Sequence, residues 1–139
     1  MDSDQIEYRE RRDLSIESIV NLYQTNAWSS AEKPQALRNA LLNSHALISA
    51  WSDNDLVWLG NAIVDGQLVV YCAHVLVRPD HHRLGIGTET IRRLTRKYDG
   101  FHRKMCEADI KRVKSFYESL GFKRADTAKS MWIFAGREH

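Results

Sequence analysis

Apolar residues in the first third of the chain recur at helical spacing. Ile16, Ile19, Val20, Leu22 and Tyr23 share one face, and Asp13 or Ser15 stands where the cap belongs. Gln5–Arg11, ahead of it, reads as a charged edge strand. Thr25–Lys33 is a polar bend around Trp28, after which Pro34 opens a second helix carrying Leu37, Leu41 and Leu42 on one face. The period then shortens. Ala46–Trp51 and Leu56–Val64 read as strands joined by the turn Ser52–Asn54. Asp65-Gly66 predicts a two-residue hairpin turn into an antiparallel partner, Leu68–Val77.

Beyond Val77 the pattern changes again. A loop, Arg78-Pro79-Asp80-His81-His82-Arg83-Leu84-Gly85-Ile86-Gly87, leads into a helix with Ile91, Leu94 and Tyr98 on one face, closed by Asp99-Gly100. A short strand near Lys104–Glu107 follows. Asp109 then caps a helix with Ile110, Val113, Phe116, Tyr117 and Leu120 on its stripe, and Gly121 ends it as a left-handed cap requires. Phe122–Arg124 and Met131–Phe134 complete the prediction as a final pair of strands. Two helices, a meander and a strand–loop–helix–strand–helix run make an α+β, or mixed α/β layer, fold.

Composition narrows the class. At 139 residues and 16.1 kDa the chain has the size of one domain, residues 1–139, able to bury a core without a disulfide or metal staple. With 43% hydrophobic residues, two prolines and no repeat, collagen, coiled coil and disordered tails are excluded. No apolar run approaches the roughly 18 residues of a membrane span. The opening MDSDQIEYRERRD is charged, unlike a signal peptide. Cys72 and Cys106 are too few for a disulfide framework and read as buried thiols in a reducing compartment, with one bridge between them left open. The cytoplasm is the expected location, with no membrane partner. Charge is uneven: residues 1–77 hold 5 Lys/Arg against 10 Asp/Glu, residues 78–139 hold 15 against 8. The second half is therefore suited to an anionic partner.

The loop His82–Thr88 supplies a place for one. Two glycines one residue apart lie between a strand and a helix, so the backbone can approach a ligand and the free amides of the first helical turn form an anion site. A tight turn needing glycine for its geometry fits the same residues. A Walker loop is excluded because Thr88-Glu89, not Lys-Ser/Thr, follows Gly87. A dinucleotide fingerprint lacks its third glycine, since Thr90 stands there, and the preceding hairpin is no βαβ opening.

His82-Arg83-Leu84-Gly85-Ile86-Gly87, behind the Val-Arg-Pro-Asp strand exit, resembles motif A of the GNAT superfamily, the acyl-CoA-dependent N-acetyltransferases. Ser115-Phe116-Tyr117-Glu118-Ser119-Leu120-Gly121-Phe122, about 30 residues on, resembles the family's Phe-Tyr-x-x-x-Gly-Phe segment. The resemblance covers roughly Leu47 to Phe134. It implies a central, mostly antiparallel twisted sheet with helices on both faces, whose fourth strand, here ending Val75-Leu76-Val77, splays from the fifth. Acetyl-CoA is the implied co-substrate, its pantetheine arm held by backbone groups of Val75, Leu76 and Val77. Its pyrophosphate would lie on the amides of His82, Arg83, Leu84, Gly85, Ile86, Gly87 and Thr88. Arg83, Arg92, Arg93, Arg96 and Lys97 are candidates for the 3′-phosphate region.

The same resemblance makes Tyr117 the general acid. A departing thiolate gains by receiving a proton, and a phenol with a reference pKa of about 10 carries one at neutral pH. An ordinary core tyrosine is the competing reading. His74 stands where many members carry an acid and is the candidate base, with Glu107 and water as rivals. Two departures bear on activity: His82 replaces the usual Gln or Arg, and Ile110 replaces an asparagine seven residues before the tyrosine. The expected reaction is direct attack by a primary amine in a ternary complex, the acceptor a small molecule because the first half is acidic. Tyr23, Trp28, Trp51, Trp58 and Asn61 are candidates to line its pocket. A non-catalytic acyl-CoA-binding module and a basic nucleic-acid-binding domain are the alternatives, the latter without a recognisable module. No metal is expected, since His81, His82 and His102 lack ligand spacing, and a homodimer is left open.

Overall fold

A computed structural model of the chain describes residues 6–81, 85–106, 114–125, 127 and 131–133. Strand β1 (Ile6–Arg9) precedes helices α1 (Ile16–Thr25) and α2 (Pro34–Leu42), then strands β2 (Ala46–Ser52), β3 (Asp55–Val64), β4 (Val69–Cys72) and β5 (Val75–Val77). Helix α3 (Ile86–Arg96), strand β6 (Arg103–Cys106) and helix α4 (Lys114–Ser119) follow. The sheet is mixed and open, in the order β1-β2-β3-β4-β6, with β5 also pairing with β3. Among the described residues only β4 and β6 run parallel. Among the described residues no helix is long and apolar enough to cross a membrane.

Both early helices start where their sequence signals place them. Ser15, not Asp13, is the cap of α1, its Oγ accepting the Ser18 N–H at 3.1 Å, while Asp13 pairs with Arg11. Pro34 occupies the first turn of α2. The two helices pack on one face of the sheet: Ile19, Leu22, Tyr23, Leu37 and Leu41 meet Leu47, Trp51, Leu56, Leu59 and Leu76. Helix α3 covers the other face, with Ile91 and Leu94 against Ile48, Ala50, Ala62 and Val70, and Tyr117 of α4 joins that side. Each fully buried Leu or Ile contributes about 1.5–3 kcal/mol. The two helical layers therefore clamp the sheet from both sides.

Three expectations are corrected. Asp65-Gly66 is not a two-residue turn. The Asp65 carboxylate gathers the N–H groups of Gln67, Leu68 and Val69 at 2.9–3.0 Å, holding a four-residue loop between β3 and β4. These donors also depress the Asp65 pKa. Phe122–Arg124 carry no strand, and neither do the described residues of Met131–Phe134, Phe134 lying outside them; Met131, Trp132 and Ile133 are exposed, without the burial that an added strand would give them. The third correction matters most: Leu68–Val77 is not one strand but two. Ile63 faces Tyr71 and Gly60 faces Val75, so Cys72, Ala73 and His74 oppose only Asn61 and Ala62. This one-residue bulge ends the pairing with β6 at Cys72 and turns β5 away.

Candidate active site

Asn61 holds the bulge in place. It is buried in the middle of β3, its backbone N–H donates to the His74 carbonyl at 2.9 Å, and its Oδ1 accepts the His74 N–H at 2.7 Å. Its Nδ2 donates to Ser44 Oγ at 2.8 Å, and Ser44 Oγ donates to the Ala40 carbonyl at 3.1 Å. A side-chain oxygen thus takes a hydrogen bond that a regular ladder gives to a backbone carbonyl, and the extra residue is accommodated. Asn61 had been a candidate for the acceptor pocket; its side chain builds the strand break instead.

The bulge sets which backbone groups β5 offers. Hydrogen-bonded pairs alternate along an antiparallel ladder, and Asn61–His74 and Val57–Arg78 are two such pairs, two residues either side of Leu59–Leu76. Leu76 therefore spends its N–H and C=O on Leu59, whereas Val75 and Val77 turn theirs away from β3. Of the three residues expected to offer backbone groups to a ligand, Leu76 is thus corrected. Its side chain sits in the α1–α2 core. Among the described residues β6 pairs with β4 as far as Cys72 and Cys106, and nothing of it pairs with β5.

His74 and Tyr117 lie on opposite faces of the sheet beside β5. His74 lies on the α1 side, half-buried between Tyr23 and Trp28, with ring centroids 5.6 and 5.5 Å away. Its Nδ1 lies 2.5 Å from Tyr23 Oη. Tyr117 lies on the α3 side among Val57, Trp58, Ile86 and Ile91, with Val75, Val77 and Cys106 packed against the cluster. Its ring meets Phe122 edge-on at 5.5 Å. Gly121, at φ 96, closes the helix, and the Phe122 N–H bonds the Tyr117 carbonyl at 3.1 Å.

Burial raises the pKa of both tyrosines. For Tyr117 desolvation leads, with the thiols of Cys106 and Cys72 behind it; for Tyr23 desolvation alone acts. Cys72, buried against Cys106, is itself pushed up to about 12, so it is a protonated, inert thiol at neutral pH, and the two cysteines form no disulfide. The raised phenols have a consequence for stability. Above pH 10 the unfolded chain loses tyrosine protons that the folded chain retains, so stability falls with rising pH, by up to about 1.4 kcal/mol per unit for each buried phenol. Denaturant titrations at pH 9, 10 and 11 are expected to show that decline. Tyr117→Phe should shallow it.

At the other end of β5, Gly85 caps α3 in the left-handed conformation, φ 71, with no side-chain cap for the amides of the first turn. Among the described residues, a Cβ on Gly85 would meet nothing within 4 Å. Gly87 and Thr88 lie inside the first turn, with Ile86 buried beneath them. Gly85→Ala is expected to cost about 1–2 kcal/mol through backbone strain alone, since nothing crowds the added methyl. Thermal denaturation measures that cost.

Other candidates take structural places. Arg93 pairs with Glu89 at 2.6 Å and stacks on Tyr8, and Lys97 pairs with Glu10 at 2.6 Å, while Arg92 and Arg96 stay exposed. Trp51 and Trp58 are buried on opposite faces of the sheet, whereas Tyr23 and Trp28 do gather at His74. His81 pairs with Asp80. Among the described residues no three His, Cys, Asp or Glu side chains converge as metal ligands. His82, Arg83, Leu84, Glu107, Asp109 and Ile110 lie outside the described residues.

The family model described as an acetyltransferase (GNAT) domain matches residues 43–124. A GNAT-family acetyltransferase from Streptococcus pneumoniae superposes with a TM-score of 0.81 at 22% identity, over 94% of this chain and 98% of its own. A glucosamine-6-phosphate N-acetyltransferase from Arabidopsis thaliana gives 0.69 at 13% identity, over 94% and 98%. An aminoglycoside N-acetyltransferase in complex with CoA gives 0.68 at 17% identity, over 96% and 95%. No curated protein matches the sequence.

Proposed function

Because the chain belongs to the GNAT acetyltransferase family, we propose that it transfers the acetyl group of acetyl-CoA to the primary amine of a small molecule, by direct attack in a ternary complex. The observation that carries this reading is the outward backbone of Val75 and Val77, which no described residue of β6 pairs with, next to the uncapped start of α3. Relatives at low identity support it: one is a CoA complex, and two are named for small-molecule amine acceptors.

The residues present fit the coenzyme. Among the described residues nothing lies within 4 Å of a Cβ placed on Gly85, and no side chain caps the Ile86, Gly87 and Thr88 amides. Arg78 Nε is buried without a hydrogen-bond partner among the described residues, at the mouth of the same loop. When bound, acetyl-CoA supplies an activated thioester. Val75 and Val77 hold its arm as an added strand would be held, and the α3 amides with Gly85 hold the pyrophosphate. The Val77 N–H polarises the carbonyl oxygen, and Tyr117 donates its proton toward the sulfur. The amine approaches from the α1–α2 side, where Tyr23, Trp28 and His74 gather. It must shed a proton before attacking, and His74, Glu107 and water are the candidate acceptors.

Calorimetric titration with CoA and acetyl-CoA, followed by thiol release with a panel of amines, tests the proposal. Binding with amine-dependent thiol release is expected. No heat with either coenzyme would overturn it. Binding without transfer to any amine would select the non-catalytic module.

A further inference from the structure

We infer that Tyr23 fixes His74 as its Nε2–H tautomer, so that the imidazole meets the acceptor as a hydrogen-bond donor to an oxygen near the amine rather than as the base that takes the amine's proton. The acceptor half of this inference rests on the acetyl-transfer reading; the tautomer half does not. Tyr23 would be a positioning residue, and His74 the residue that selects amines carrying a hydroxyl or carboxylate oxygen, as amino alcohols and amino acids do.

Tyr23 is fully buried in the α1 core, and its one hydrogen bond among the described residues is the 2.5 Å contact with His74 Nδ1. Burial keeps the phenol protonated through any working pH. That proton needs an acceptor, because an unsatisfied buried hydroxyl donor costs about 1–3 kcal/mol. Trp28, on the other side of the ring, has only an N–H donor to offer. The phenol O–H therefore donates to Nδ1, Nδ1 is bare, and the neutral ring carries its hydrogen on Nε2. Charging the ring would put a second hydrogen between Nδ1 and Oη, forcing the phenol to give up its bond. The His74 backbone cannot swing away, since Asn61 holds its N–H and C=O on the bulge. A ring held in this state donates from Nε2 and does not accept there. The amine's proton then leaves by water or by Glu107.

Two measurements test this. Nitrogen-15 NMR of histidine-labelled protein, with no substrate present, should report His74 with a protonated Nε2 and a bare Nδ1, and a mixture of tautomers in Tyr23→Phe. A protonated Nδ1 in the unaltered protein would overturn the inference. In amine acetylation, His74→Gln keeps a donor and should lose at most about ten-fold in kcat/KM, whereas His74→Glu presents an acceptor and should lose roughly a hundred-fold or more. The reverse order, with the glutamate variant faster, would establish a base and overturn the donor role. Should no amine be acetylated at all, the acetyl-transfer reading fails and takes the acceptor half with it. The NMR result still decides the tautomer.

Discussion

Tyr117→Phe is expected to slow acetyl transfer by roughly 10²–10⁴-fold while leaving CoA affinity nearly unchanged. At about 1.4 kcal/mol per ten-fold, the phenol O–H is being assigned about 2.7–5.5 kcal/mol of transition-state stabilisation. Phenylalanine keeps the ring against Phe122 and within the Val57, Trp58, Ile86 and Ile91 cluster, so the loss is one of chemistry and not of packing. The sign of the pKa shift shapes the pH profile. Burial holds the phenol protonated beyond the ordinary tyrosine range, so no alkaline limb below pH 10 belongs to Tyr117. The variant should therefore lose rate by the same factor from pH 6 to 9. The raised pKa also makes outright proton transfer to a departing thiolate uphill, so in this role the phenol would stabilise the sulfur as a hydrogen-bond donor, most strongly as the carbon–sulfur bond breaks and charge builds up. Single-turnover measurements of thiol release check both statements; an unchanged rate would remove Tyr117 from the reaction.

What could be read from the residues follows the range of the forces involved. The α1 stripe, the Pro34 start of α2, the Gly85 turn and the Gly121 cap are local: spacing, a fixed φ or a positive φ announces each one. The break between β4 and β5 is not local. Val69-Val70-Tyr71-Cys72-Ala73-His74-Val75-Leu76-Val77 contains no glycine or proline, and its alternation runs on through the bulge. The side chain that interrupts it belongs to the neighbouring strand. One signal was present, an asparagine inside Leu56-Val57-Trp58-Leu59-Gly60-Asn61-Ala62-Ile63-Val64, where every neighbour is apolar. A polar group buried there must spend its hydrogen bonds on something, and it spends them on His74 and Ser44. The Asp65 loop has the same lesson on a smaller scale, since the carboxylate's three amide bonds outweigh the turn preference of Asp-Gly. Likewise the site's two aromatic-rich halves come from opposite faces of the sheet, and no spacing along the chain brings Tyr23 to His74, 51 residues away.

Asn61→Ala should then cost about 2–4 kcal/mol, more than most single hydrogen-bond deletions, and should weaken CoA binding as well. The His74 N–H loses its acceptor in a buried setting, a cavity replaces the carboxamide, and Ser44 Oγ loses one of its two partners. A slip by one residue that restored a regular ladder would be worse still. It would carry Leu76 out of the α1–α2 core and turn Val75 and Val77 from the α3 side, reversing every side chain of β5. The chain therefore retains the bulge and bears the unsatisfied N–H, with β5 held less firmly and the Val75 and Val77 edge less well presented to the coenzyme. Asn61→Asp separates the hydrogen bond from the shape. Its protonated carboxyl can accept from His74 and donate to Ser44 as the amide does, whereas its ionised form buries a charge without a donor for Ser44. Burial raises the folded-state pKa above the unfolded value of about 3.9, so this variant's deficit should be small near pH 4 and grow as pH rises through the folded value. Urea denaturation of both variants at pH 4.5 and 7.5, compared with the unaltered protein, measures the two effects. A deficit below about 0.5 kcal/mol for Asn61→Ala, with CoA affinity intact, would show that the bulge is held by the surrounding sheet and not by this side chain.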